Sequence, residues 1–289
     1  MLKTRFYIAF FYSLISCLGF AQQNSINIKS TLNVDKDELL IQQEIVYYNT
    51  TDSIFNSIYL HNWPNSFRDR KTPLCKRFIE DFNKDLYFAK EEDLGFSKVK
   101  NLSVNFDKTA FKELKNQADI LEIFLNTPLK PKESAKIHIT YTVKVPDARF
   151  TGYGRTKKGY NLRFWYLTPA IYQNGWQLMS NLNVDDLYEK GTDFKIEINV
   201  PKEYIVESNL YQYETKKEQL NSYYLVGKNK TDIILGIHNE PQLKTFKTKN
   251  INVHTDVFSK EIDTKLSTDI LNRELLFIEK YLGKYPHIN

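Results

Sequence analysis

Strict alternation of apolar and polar residues constrains this chain more than any other feature. Ile137, Ile139, Tyr141, Val143 and Val145 are separated by His138, Thr140, Thr142 and Lys144, a period of two that buries one face of a strand and wets the other. The same period runs through Ile26, Ile28 and Leu32, through Leu39, Ile41, Ile45 and Tyr47, and through Phe194, Ile196, Ile198 and Val200. Half-buried strands of this kind belong to antiparallel sheets. Shorter apolar runs over 120–125, 223–226 and 233–237 extend the count, and Pro128, Pro131, Pro146, Pro201 and Gly227 punctuate the gaps. The predicted architecture is mainly β, a large antiparallel β-sandwich or saddle.

Two stretches depart from the period of two. Between Trp63 and Lys98, Leu74, Phe78, Ile79 and Phe82 stand at helical spacing in a charged segment, which predicts an insertion with one short helix. From Leu266, Ser267 is placed to cap, Leu271, Leu275, Ile278 and Leu282 share a helical face, and Gly283 with Pro286 ends the element. With the strand-like 251–258 before it, this helix reads as the start of a second unit. The expected division is 1–21 as a signal peptide, 22–249 as the β domain, and 250–289 as the incomplete beginning of another domain.

The compartment is read from the first residues. Lys3 and Arg5 precede an apolar run from Phe6 to Phe20 that closes on Gly19 and Ala21, the pattern of a secretory signal cut after Ala21. Leu14-Ile15-Ser16-Cys17 also fits the box at which bacterial lipoproteins are cut and acylated on cysteine. The expected location is therefore periplasmic or extracellular, with lipid anchoring at Cys17 as the alternative. No later stretch reaches the roughly 20 apolar residues of a membrane span. About 268 residues remain after cleavage, enough for a sizeable core. Cys75 is then the single cysteine, which rules out an intramolecular disulfide and a cysteine-rich zinc site.

Charge excludes one class of partner. The formal +5 falls to about +3 once Lys3 and Arg5 leave, and the remaining bases are interspersed with acids, unlike a nucleic-acid footprint.

The order of several short segments resembles the N-terminal β-saddle of aminopeptidase N-like zinc metallopeptidases, the gluzincin family, in its divergent bacterial form. They are Tyr59-Leu60-His61-Asn62-Trp63-Pro64-Asn65, Phe150-Thr151-Gly152-Tyr153-Gly154, Phe164-Trp165-Tyr166-Leu167-Thr168-Pro169, and Phe194 to Pro201 followed by Glu207-Ser208-Asn209. The last runs from Leu275 to Gly283-Lys284-Tyr285-Pro286, similar to the helix and turn that open the family's thermolysin-like catalytic domain. The resemblance implies a parent aminopeptidase that binds peptide substrates with zinc, and a downstream catalytic domain as the partner of this saddle. It also implies that the region around 165–176 supplies a glutamine or glutamate to the substrate's amino terminus. Gln173 is the nearest chemical match.

In that family two histidines and a glutamate of H-E-x-x-H hold zinc and activate water. This sequence has no such motif, and His61, His138, His238, His254 and His287 stand singly. No catalytic or metal-ligating residue is therefore assigned to this chain, no cofactor is expected in it, and alone it is expected to be inactive.

Other constellations have plainer readings. His138 falls on the polar side of its strand. His61 and Trp63 lie beside a turn and read as packing. Trp165, Tyr166, Tyr172 and Trp176 around Gln173 and Asn174 read either as a binding rim or as an aromatic loop packed under a missing domain. Gly152-x-Gly154 with Arg155, Lys157 and Lys158 lacks the strand-to-helix context of a phosphate cradle and reads as a turn. Glu91-Glu92-Asp93 has no identifiable partner. Asn49, Asn101 and Asn229 match the N-glycosylation pattern. Two alternatives to the peptidase saddle stand: an exported β-sandwich module that binds glycan or protein through exposed aromatics, and a catalytically dead scaffold relative.

Overall fold

In the computed structural model the alternation becomes a burial pattern: Ile137, Ile139, Tyr141 and Val143 are at most 2% exposed, while His138 and Thr140 stand on the opposite face of the strand Ser134–Lys144. The structure describes residues 23–184, 189–216, 220–240, 243–255 and 263–284. The signal segment with Cys17, the Tyr285-Pro286 turn and His287 lie outside them.

In chain order the strands are β1 (Ser25–Asn33), β2 (Glu38–Tyr48), β3 (Phe55–His61), β4 (Phe96–Val104), β5 (Asp107–Lys108), β6 (Phe111–Leu114), β7 (Gln117–Leu129), β8 (Ser134–Lys144) and β9 (Gly154–Thr156). After them come β10 (Gly159–Arg163), β11 (Thr168–Pro169), β12 (Thr192–Pro201), β13 (Ile205–Ser208), β14 (Tyr211–Lys216), β15 (Leu220–Lys230), β16 (Ile234–His238), β17 (Lys244–Lys247) and β18 (Asn252–Thr255). An eight-stranded sheet runs β14-β15-β12-β1-β2-β8-β4-β5, and two four-stranded sheets run β13-β16-β10-β9 and β11-β3-β7-β6. Ile28 and Ile139 of the large sheet, Leu60 and Ile123 of one small sheet, and Leu162 and Leu235 of the other belong to one apolar cluster. A single core thus underlies all three sheets.

The mainly antiparallel architecture holds, and among the described strands β1 pairs with β12 in parallel, Ser25 opposite Asp193. A parallel pair requires a long crossover rather than a hairpin, and here everything from β2 to β11 intervenes. One inward position of β2 is polar. Gln43 donates through Nε2 to the Leu167 carbonyl (2.6 Å) and accepts the Leu167 N–H (3.2 Å) and the Tyr141 hydroxyl. Its amide thus stands in for a neighbouring strand, satisfying backbone groups that burial would otherwise leave unpaired.

The insertion holds the expected short helix, Pro73–Glu80, started by Thr72, whose Oγ1 accepts the Cys75 N–H, and by Pro73 at its first position. Leu74, Cys75 and Phe78 bury against Phe67, Leu86 and Phe150. Ile79 and Phe82 do not join them, being 40% and 92% exposed. The helix has ended by Phe82, whose φ of +61° swings its ring off the helical face. Asp93, read from sequence as unpartnered, accepts from Arg149 (2.8 Å) and Arg155 (3.3 Å), and Arg155 also reaches Asp37 (3.1 Å). These ion pairs pin the insertion to the turn between β1 and β2.

Burial pushes the Cys75 thiol up from its ordinary value, disfavouring the reactive thiolate. A thiol reagent is expected to leave Cys75 untouched in the native protein and to label it fully in denaturant. Labelling in the native state at the rate of a small free thiol would contradict this enclosure.

The second helix, Thr264–Leu282, starts four residues earlier than a cap at Ser267 predicts. Asp263 is its N-cap position, and Ser267 lies inside it, donating back to the Asp263 carbonyl (3.1 Å) rather than capping. The helix rests on the turn between β17 and β18, where Asn272 Oδ1 accepts the Lys249 N–H (3.2 Å). The expected boundary near residue 250 falls in this turn. Leu271 and Leu275 are half-buried, but Leu282 is 84% exposed, so the apolar stripe is covered over part of its length only. No helix among the described residues is long and apolar enough to cross a membrane.

Candidate functional site

Among the described residues from Phe164 to the start of β12, ladder pairing is confined to the two residues of β11 against β3. Buried backbone groups must still find partners, and here side chains supply them. Trp63 Nε1 donates to the Met179 carbonyl (2.9 Å), and Gln117 Nε2 donates to that of Leu178 (3.3 Å). Asp119 accepts the Asn181 N–H (2.8 Å) and the hydroxyls of Ser180 (2.9 Å) and Ser66 (3.1 Å). The strap is therefore held by residues projecting from the end of β3, the turn after it, and the start of β7.

Beneath it His61 faces Glu189, with Nδ1 3.0 Å from Oε1, and both side chains are at most 5% exposed. Thr168 donates to the second carboxylate oxygen (3.1 Å). The other ring nitrogen of His61 lies 3.2 Å from the Gln177 carbonyl and 3.3 Å from the Met179 nitrogen, and the ring stacks on Trp63 at 4.7 Å. Burial pushes the Glu189 carboxyl up, opposed by His61 and then Thr168. Asp119 is raised for the same reason, opposed by the Asn181 N–H and the two serine hydroxyls. These are positioning groups. The packing role read for His61 and Trp63 holds, and sequence reasoning missed Glu189 and Asp119.

Gln173 sits at the tip of a tight turn closed by the bridge between Tyr172 and Trp176. Asn174 and Gly175 adopt positive φ, +55° and +138°, suited to asparagine and glycine. Gln177 Nε2 clamps the turn by donating to the carbonyls of Gln173 and Gly175, both at 3.1 Å. The base is aromatic: the Trp176 ring lies 4.9 Å from Phe55, 5.4 Å from Tyr59 and 5.4 Å from Tyr172. Tyr59 donates to Glu122, and burial followed by this contact pushes its phenol up to about 12.

The binding-rim reading of the four aromatics is corrected accordingly. Trp165 and Tyr166 are buried in the core and Tyr172 with Trp176 forms a pedestal, because rings of this size gain most by removing their area from water. In this turn the exposed polar side chains are those of Gln173 and Asn174.

The remaining sequence candidates are dispersed. His138 points outward, 3.6 Å from Glu44; His238 bonds Asn161 and His254 bonds Thr245. Among the described residues no group of three or more histidine, cysteine or carboxylate side chains is arranged to hold a metal, so these residues do not fit a zinc ion. Gly152 and Gly154 form a turn, and a Cβ on Gly154 would lie 2.3 Å from the Pro146 carbonyl oxygen. Asn49 is enclosed, donating to the Ser53 and Leu129 carbonyls, so the folded protein does not offer it to a glycosyl transferase. Below the strap, Trp63, Phe67, Phe164 and Trp165 help line a cavity of about 60 Å³, well short of the several hundred Å³ of a ligand site.

No protein-family model matches the sequence, and no curated protein matches it. Solved structures do match the fold. The crystal structure of an M1 zinc metallopeptidase mutant from Deinococcus radiodurans superposes with a TM-score of 0.53 at 12% identity, covering 92% of this chain and 55% of that one. The non-mutant structure from the same organism gives 0.52 at 11%, covering 92% and 55%. A two-domain M1 zinc metallopeptidase mutant bound to L-arginine gives 0.52 at 12%, covering 92% and 54%. At such identity the likeness is one of fold, and this chain spans about half the length of the solved structures it matches.

Proposed function

We propose that this chain is the N-terminal saddle of an exported zinc aminopeptidase, packing on a catalytic domain and presenting the Gln173 turn to the amino terminus of a peptide substrate. One observation carries the reading: nearly the whole chain takes the fold of about half of a metallopeptidase, and its last helix leaves apolar surface uncovered. Leu276, Phe277, Tyr281 and Leu282 are each more than half exposed. Contiguous apolar surface of this kind marks an interface, and a catalytic domain following the helix is the natural cover. Zinc and the H-E-x-x-H residues belong to that domain, so no chemical step is assigned to this chain. Its contribution is to bind: the Gln173 amide oxygen accepts a hydrogen bond from a substrate ammonium, held in place by the Gln177 clamp and the aromatic pedestal.

The coding sequence beyond Asn289 tests the family. An in-frame H-E-x-x-H with a further glutamate is expected, and a stop with no such motif counts heavily against the reading. In the longer protein, Gln173→Ala is expected to raise KM for an aminoacyl p-nitroanilide about tenfold with kcat within about twofold, the signature of lost uniform binding. Because the side chain is exposed, stability should move by less than about 0.5 kcal/mol. Unchanged KM removes Gln173 from the site and leaves the family reading intact. Mass spectrometry of the mature amino terminus separates cleavage after Ala21 from acylation at Cys17.

A further inference from the structure

We propose that the open face of the eight-stranded sheet is a groove for an extended, uncharged oligosaccharide. The register sets two adjacent rows of side chains across the strands on this face. One runs Tyr213, Tyr224, Glu197, Lys29, Gln42, Thr140, each opposite the next. Beside it runs Val226, Lys195, Asn27, Glu44, His138. Residues of both rows line a groove of about 640 Å³, the volume of a ligand site. Five interstrand steps carry the first row across about 24 Å, the reach of a short glycan chain.

Aromatic rings stand at both ends. Tyr213 and Tyr224 stack with ring centroids 5.1 Å apart, and Tyr213 is 52% exposed. At the far end Phe106, 80% exposed, lies 5.2 Å from the His138 ring. Phe106 is costly where it stands. Val104 pairs with Asp107, leaving Asn105 and Phe106 as a two-residue hairpin loop with φ of +51° and +73°. Glycine is the favoured residue at the second position of such a turn, and a bulky residue at positive φ is strained. Neither burial nor turn geometry accounts for a phenylalanine there, whereas a platform at the groove's end does.

The floor selects the ligand's chemistry. Two lysines and two glutamates cancel, and Lys29 already pairs with Glu197 at 3.4 Å, so the floor has no net attraction for a polyanion. Gln42 and Thr140 offer donors and acceptors side by side, as sugar hydroxyls require, Asn27 beside them donates through Nδ2 to Glu44 (3.0 Å) and keeps its amide oxygen for the ligand, and rings at the ends suit the apolar faces of pyranoses. An extended peptide is the poorer fit. Peptides add to sheet edges through main-chain hydrogen bonds, and within this face those groups are already used between strands.

The test is calorimetric titration of the whole chain with cellohexaose, laminarihexaose, xylohexaose, mannohexaose and maltohexaose, and with an unstructured hexapeptide. At least one hexasaccharide is expected to bind with a sub-millimolar Kd that is indifferent to salt. Tyr213→Ala and Phe106→Gly should each weaken it roughly tenfold, as the loss of one stacking platform implies. Phe106→Gly relieves the turn, so its melting temperature should equal or exceed the parent's, and weakened binding then cannot be ascribed to unfolding. No binding by any of the five sugars, binding unaffected by both variants, or binding of the peptide alone overturns the proposal.

Discussion

Trp63→Ala is expected to destabilise the protein by about 3–5 kcal/mol in urea unfolding, the upper range for truncating a buried aromatic. Three losses coincide at this residue. Its ring, 1% exposed, stacks on His61 and meets Phe164 edge-on at 4.6 Å. Its indole N–H holds the Met179 carbonyl, an acceptor that the variant leaves inside the protein without this donor. The space left adjoins an existing cavity, which limits how well the site can collapse. Trp63→Phe separates packing from hydrogen bonding and should cost about 1–2 kcal/mol. A Trp63→Ala loss under about 1 kcal/mol would falsify the view that this side chain holds the strap.

Glu189→Ala should cost a comparable 3–5 kcal/mol, the typical penalty for removing one partner of a buried pair, because it strips the acceptor from His61 and Thr168 together. Glu189→Gln retains an acceptor for His61, and Thr168 can turn its hydroxyl, so the expected loss is below about 1.5 kcal/mol. The two variants also differ from the parent in pH dependence. Because burial raises the Glu189 carboxyl, the folded state holds its proton more tightly than the unfolded chain. That contribution is fully present below the ordinary carboxylate value and is lost as pH rises through the raised one. Denaturation midpoints across this window should decline with rising pH less steeply in Glu189→Gln than in the parent. Equal slopes would mean that the folded and unfolded carboxyls titrate alike.

The strands were legible because period-two patterning is a local consequence of having one wet face, and Ile137 through Val145 display it without reference to the rest of the chain. Gln43 was legible in principle: it breaks the inward series of Leu39, Ile41, Ile45 and Tyr47, and a polar residue in a core register signals a partner. The identity of that partner, Leu167, was not, since nothing local encodes it. The same holds for Glu189, 128 residues from His61. The aromatic stretch misled for a different reason. Tyr and Trp have the same amphipathic character as a rim or as a pedestal, and only the neighbouring Phe55 and Tyr59 decide which face water sees. Phe82 left its predicted face because helix spacing continues in the sequence after the backbone has turned.

The parallel pairing of β1 with β12 has a consequence for how the chain reaches its native state. Among the described strands, β1 joins the β14-β15-β12 half of the large sheet to the β2-β8-β4-β5 half. Its second neighbour is made more than 150 residues later, Ser25 meeting Asp193. Such remote closure is slow, because loop entropy is lost before contacts repay it. During synthesis β1 and β2 precede both of their outer neighbours; β8 covers the edge of β2 first, and the edge of β1 stays unpaired until β12 is made. Ribosome stalling or proteolysis before residue 192 would leave that edge permanently open, a template for strand addition between chains.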